Sequence, residues 1–168
     1  NVAAVRPEPR PLWRRLKASR PSANTLLSHI GVLGPPVDPS FVAEAMEVRV
    51  VPYPMQWAGV LQSTETAARI IVRQQDAWLQ QRFTVAHEIG HLILHPLGTE
   101  FRDTTFAGTP AEAQANGYAA ALLMPFWMIE PAVHAWGPNV GLLAQAFQVS
   151  VQAMEIRLQR FYGMGDDG

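Results

Sequence analysis

The sequence predicts an α+β fold: one mostly helical domain, a small antiparallel sheet, and a C-terminal hairpin resembling a helix-turn-helix. Three observations predict it. The apolar run from Phe83 to Leu94 is too long for an ordinary strand and reads as helix. Short β-prone runs between residues 48 and 73 are separated by Pro, Ser and Thr. The stretch from 139 to 162 carries apolar residues at helical spacing on both sides of a break.

The elements follow in order. Asn24 or Thr25 caps a short amphipathic helix through Ile30, ended by Gly31 and the Gly34-Pro35-Pro36 break. Asp38-Pro39-Ser40 opens a second helix with Phe41, Val42, Ala45 and Met46 on its apolar side. Val48 to Tyr53 reads as a strand stopped by Pro54. Trp57 to Gln62 and Ala68 to Arg73 read as two more, joined by the polar turn Ser63-Thr64-Glu65-Thr66, which suggests an antiparallel sheet. Asp76 is placed to cap a long helix that reaches about His95 and is halted by Pro96. A polar loop, Leu97 to Thr109, precedes a helix from Ala111 to Met124 with Pro110 in its first turn, apolar enough after Asn116 for deep burial. Residues 126–136 form another apolar segment, broken around Pro131, before the two final helices at 139–147 and 150–162.

At 168 residues the chain suits one domain with a proper core, and 48% hydrophobic with 16% charged residues is globular composition. No apolar stretch approaches the ~18 residues that a membrane-spanning helix needs. No secretory signal is evident, and a start at Asn1 rather than Met is consistent with a processed or truncated beginning. With no Cys, disulfides and thiolate ligands are excluded, so any metal is held by His, carboxylate or carbonyl groups. These features fit a cytoplasmic protein.

The net charge of −1 conceals an asymmetry. Arg6, Arg10, Arg14, Arg15, Lys17 and Arg20 face only Glu8 within residues 1–24, which leaves the remainder acidic. With Pro7, Pro9, Pro11 and Pro21, residues 1–23 read as a basic, flexible arm, a solvated tail in preference to a nucleic-acid contact. The domain proper then spans 24–162, with a tail at 163–168.

His87-Glu88-Ile89-Gly90-His91 carries the chemistry. On a helix, residues i and i+4 lie on one face about 6 Å apart along the axis, so His87 and His91 can donate nitrogens to one Zn²⁺. Glu88, about a quarter-turn away from His87, can act as general base on a water. The bland alternative is a buried helix with two satisfied histidines. A catalytic zinc takes three protein ligands and keeps one open position. Glu112, at the start of a helix expected to pack on the motif helix, is preferred as the third. His95 competes, but three successive i+4 positions span about 12 Å of a straight helix and do not converge on one ion. Glu100 and Asp103 are weaker candidates.

Two blocks extend the reading. Arg82 to His95 (RFTVAHEIGHLILH) and Glu112 to Pro125 (EAQANGYAAALLMP) resemble, in order and separation, the two motifs of the ImmA/IrrE-type zinc metallopeptidases, whose sites are gluzincin-like. Val37-Asp38-Pro39 and the terminal pattern Leu143-Ala144, Phe147, Val149-Ser150, Met154, Arg157-Leu158 extend the likeness over about residues 24–162. The resemblance implies that His87, His91 and Glu112 bind zinc and that Glu88 activates water. One departure stands out: many relatives carry a second acid where this chain has Gln114. His95 becomes a supporting or surface residue, and Tyr118 and His134 are candidate oxyanion donors, each with packing or surface placement as the plainer role. Trp57, Trp78, Trp127 and Trp136 read as core or groove-lining.

The resemblance further implies an endopeptidase that cleaves a helix-turn-helix (Xre-type) repressor or antitoxin-like regulator, switching on stress, phage or mobile-element genes. Its rival is a non-proteolytic toxin or regulator that binds a repressor protein or DNA, with a structural metal closed by a fourth ligand such as His95. Ser150 caps the last helix as a recognition helix would be capped, yet only Arg157 and Arg160 decorate it, so packing is favoured over DNA contact.

Overall fold

The computed structural model describes residues 8–98, 101–102 and 108–163. Its centre is α4 (Trp78–Leu94), a helix buried almost all round from Arg82 to Ile93. Helices α1 (Leu12–Ser19), α3 (Pro39–Ala45) and α5 (Pro110–Leu123) and strands β2 (Gly59–Ser63) and β3 (Ala68–Arg73) all pack against it. Its apolar residues Val85, Ala86, Ile89, Leu92 and Ile93 suit that central position, and the buried polar side chains among them, Arg82, Thr84, His87, Glu88 and His91, are the exception.

Local capping explains most element boundaries. Ser22, not Asn24 or Thr25, caps α2 (Ala23–Ile30) by accepting from the Thr25 amide at 3.2 Å, and Gly31 ends it with φ 87°. Asp38 caps α3 through the Ser40 and Phe41 amides, as its sequence suggests. Thr109 accepts from the Glu112 amide ahead of Pro110, opening α5. Each such cap contributes about 1 kcal/mol. The motif helix differs: Asp76 does not cap it but pairs with Arg73 at 2.7 Å, and Ala77 precedes the first turn without a side-chain cap.

The sheet is mixed, with order β1-β3-β2-β4, where β1 is Arg49–Tyr53 and β4 is Phe101–Arg102. The expected antiparallel sheet is therefore corrected: β2 pairs antiparallel with β3 and β4, but β1 runs parallel to β3, Val50 beside Ile70. The physical reason lies in residues 54–58. They carry the chain across the end of β3 instead of turning back on β1, held there by Arg73 on the Gln56 carbonyl and Gln75 on the Met55 carbonyl. Short apolar alternation looks alike in either pairing.

The arm is also corrected. Residues 8–23 are not a flexible extension: α1 forms inside them and buries Trp13 and Leu16 in the core. Proline at positions 11 and 21 brackets the helix without interrupting it. Trp13 is fully buried, whereas Trp78, Trp127 and Trp136 are exposed and Trp57 is half-buried. Residues 1–7 and 164–168, the outer parts of the expected arm and tail, lie outside the described residues.

Helix α6 (Phe126–Trp136) runs unbroken through Pro131, which forgoes one main-chain bond while Met128, Ile129 and Ala132 keep their apolar face buried. Helices α7 (Val140–Phe147) and α8 (Val151–Tyr162) form the expected hairpin. Two arginines fix it in place. Arg82 of the motif helix donates to the Val37 carbonyl at 2.6 Å and the Gln148 carbonyl at 3.0 Å. Arg157 donates to the Met124 carbonyl at 2.9 Å, and burial pushes its guanidinium down to about 10. Arg157 is thus spent on packing at the end of α5.

Candidate metal centre

The site forms where α4 and α5 come closest. Gly90 permits the approach: a Cβ there would lie 3.0 Å from the Tyr118 Cβ and 3.1 Å from the Ala115 carbonyl oxygen. A side chain there would make an unusually tight contact and press the two helices apart by a few tenths of an ångström. That contact carries the first turn of α5, and with it Glu112, over the His87–His91 face.

Three side chains converge. The Nε2 atoms of His87 and His91 stand 3.0 Å apart. The Glu112 carboxylate reaches both, Oε2 at 3.0 Å from His87 and Oε1 at 2.9 Å from His91. Both rings are buried, and Glu112 is half-buried. His87, His91 and Glu112 form a group able to hold a metal ion, the three residues named from the sequence.

The chemistry of the donors tests that fit. His87 Nδ1 lies 2.7 Å from Asn116 Oδ1, an oxygen that can only accept. The proton of a neutral His87 therefore sits on Nδ1, and Nε2 offers its lone pair to the cluster. Burial, with His87 and His95 adding to it, pushes His91 down from 6.5 to about 3, so its ring is neutral. Lone pairs and a carboxylate crowded within about 3 Å repel one another unless a cation sits between them. Around a tetrahedral ion with bonds of about 2.0–2.1 Å, neighbouring ligand atoms stand roughly 3.3 Å apart, close to the spacing here. The residues fit a divalent metal.

The other candidates are placed differently. His95 lies past the end of α4 with extended backbone, its Nδ1 2.8 Å from His91 Nδ1. It backs the His91 ring on the edge away from the cluster. Gln114 Oε1 in turn lies 3.0 Å from His95 Nε2. Tyr118 is buried and its hydroxyl donates to the Pro21 carbonyl at 3.0 Å, while His134 is exposed on α6. Glu100 and Asp103 lie outside the described residues.

Glu88 is fully buried on the β2 side of the motif helix. Gly59 makes room for it, since a Cβ there would come within 2.8 Å of Glu88 Oε1 and 2.5 Å of Thr84 Cγ2. Sequence reasoning missed Gly59, whose only signal is a glycine at the head of a strand.

It also missed what closes the far end of the motif helix. Lys17 donates its ammonium to the Leu92 and His95 carbonyls, and Arg20 donates to the Leu94 carbonyl at 2.8 Å. Cations at a helix C-terminus satisfy orphan carbonyls and oppose the negative end of the dipole.

Fold and site together define a mostly helical α+β domain built around an HExxH helix whose histidines meet a carboxylate from the next helix. Residues 43–159 match the sequence profile of the M78 peptidases, described as the IrrE N-terminal-like domain, and the chain belongs to that family. A fainter likeness runs to the uncharacterized immunity region protein 2 of Bacillus phage phi105, 27% identical over 97 residues. That stretch covers 55% of this chain and 61% of the phage protein, less than two thirds of its length. Membership supports a metallopeptidase-type function. Among the described residues no helix is long and apolar enough to cross a membrane.

Proposed function

We propose that the protein is a cytoplasmic, zinc-dependent endopeptidase that cuts a helix-turn-helix regulator of the Xre type. The observation that carries the reading is the convergence of His87 Nε2, His91 Nε2 and the Glu112 carboxylate on one point, with Glu88 on the same helix. Nitrogen and oxygen donors without any thiolate suit Zn²⁺, and three protein ligands leave a position for chemistry. Zinc held there supplies Lewis acidity, acidifying water and polarising a scissile carbonyl.

The side chains divide the remaining work. Asn116 holds the His87 ring in the ligating orientation through its 2.7 Å contact. Glu88 takes the proton of the attacking water and delivers it to the leaving amine. With the Tyr118 hydroxyl donating to Pro21, it does not serve as the oxyanion donor in this arrangement. The regulator substrate is proposed from family resemblance, and the immunity-region name of the phage relative is in keeping with a phage or mobile-element repressor.

The rival reading, a non-proteolytic regulator with a closed structural metal, needs a fourth protein ligand. His95 was its best source, and His95 faces His91 Nδ1 rather than the cluster. Glu88→Gln tests the mechanism: zinc is retained while cleavage of an Xre-type regulator substrate falls by about 10²- to 10⁴-fold. Wild-type cleavage by that variant contradicts the role assigned to Glu88.

A further inference from the structure

We propose that His95 and Gln114 form a hydrogen-bond relay that fixes which nitrogen of His91 is free to ligate, making both positioning residues for the metal centre. The proposal rests on the metal reading above and adds to it a role for two residues outside the ligand set.

The direction of the relay follows from donor and acceptor types. Gln114 presents Oε1 to His95 Nε2 at 3.0 Å, and an amide oxygen only accepts. His95 Nε2 therefore carries the proton. In a neutral imidazole the other nitrogen is then an acceptor, so His95 Nδ1 offers a lone pair. His91 Nδ1 lies 2.8 Å from it and must donate. The only nitrogen of His91 left without a proton is Nε2, which points at His87 Nε2 and Glu112. Each proton position is forced by the one before it, starting from a single amide oxygen.

The two ligating histidines are thus oriented by different means. His87 is held directly by Asn116, on the buried face of the α4–α5 contact. His91 is held through an intervening imidazole, because the Gln114 side chain leaves α5 near the end of α4 and meets His95 first. The helix end makes this geometry available: α4 stops at Leu94, and the extended backbone of His95 lets its ring turn back onto His91. The rings of His91 and His95 lie 4.9 Å apart, centroid to centroid. Gln114 supplies what the relay requires, an oxygen that accepts.

Zinc affinity, measured by competition with a chromophoric chelator, tests the relay without reference to cleavage. His95→Leu removes the acceptor for His91 Nδ1 and weakens zinc binding by about 10- to 100-fold, the range for lost support of a ligating histidine. His95→Gln places an amide oxygen within reach of Nδ1 and recovers most of that loss. Gln114→Glu, which keeps an acceptor, binds zinc as well as the wild type, and Gln114→Leu binds it more weakly. Nitrogen-15 imidazole spectra of the chelator-treated protein supply a readout independent of metal: His91 is the Nδ1–H tautomer in the wild type and a mixture in His95→Leu. Wild-type zinc affinity in a folded His95→Leu, with Glu112→Ala losing zinc, overturns the relay and leaves the metal site standing. A wild-type protein that binds no zinc overturns both.

Discussion

Helices α5 and α1 both complete the motif helix, the first with side chains and the second through its backbone. From α5 come Glu112 and Asn116, which meet the histidines directly, and Gln114, which meets His95. From α1 come Lys17 and, just beyond it, Arg20, which meet only main-chain carbonyls at residues 92, 94 and 95. Chemistry lives in residue types, so the α5 contribution stands in the sequence at a fixed separation from the histidines. A carbonyl is offered by every residue, and nothing in a sequence says which lysine will reach it. The segment outside the family match is the one that closes the helix on which the site is built.

A crossed pair of variants separates the two helices most strongly. Trp13→Ala empties a fully buried position and lowers stability by about 3–5 kcal/mol, yet the folded protein binds zinc at wild-type stoichiometry. Glu112→Ala loses zinc and leaves the stability of the chelator-treated protein nearly unchanged. Denaturant titration and metal analysis read both. If the two effects do not separate, α1 and α5 are one unit and the contrast is wrong.

A smaller effect sharpens the role of α1. Lys17→Met keeps the apolar stem and removes the ammonium from the Leu92 and His95 carbonyls. The loss is about 1–2 kcal/mol, seen as a melting temperature a few degrees lower. An unchanged melting curve shows that Lys17 does not close the helix end.

How far the sequence could be read follows the same division. Asp38 capping α3 and the i, i+4 pair on α4 were legible because each works through local spacing. The parallel placement of β1 was not, since residues 54–58 choose their path by contacts with Arg73 and Gln75 that lie on the far strand and its turn. Trp13 was hidden among arginines and prolines, where composition spoke for solvent. Of the candidate site, His87, Glu88, His91 and Glu112 are legible from residue types and resemblance. Gly59 and Gly90 were not, because a glycine's purpose depends on what packs against it.

The smallest expected effect is on pH. His91 is held neutral in the fold, pushed from 6.5 to about 3 by burial. The unfolded chain therefore binds a proton that the folded one refuses, so this group makes the metal-free protein less stable as pH falls from about 6.5 toward 3, and has no such effect above that window. Urea titrations in chelator at a series of pH values check it. A flat profile across the window counts against a buried neutral ring.

Zinc K-edge X-ray absorption on the loaded wild type tests the centre most directly. A centre of His87, His91 and Glu112 gives two imidazole nitrogens and carboxylate oxygen from the protein, with the remaining shell filled by solvent, and loses the carboxylate contribution in Glu112→Ala. A shell with three imidazoles, or one unaltered by Glu112→Ala, contradicts it.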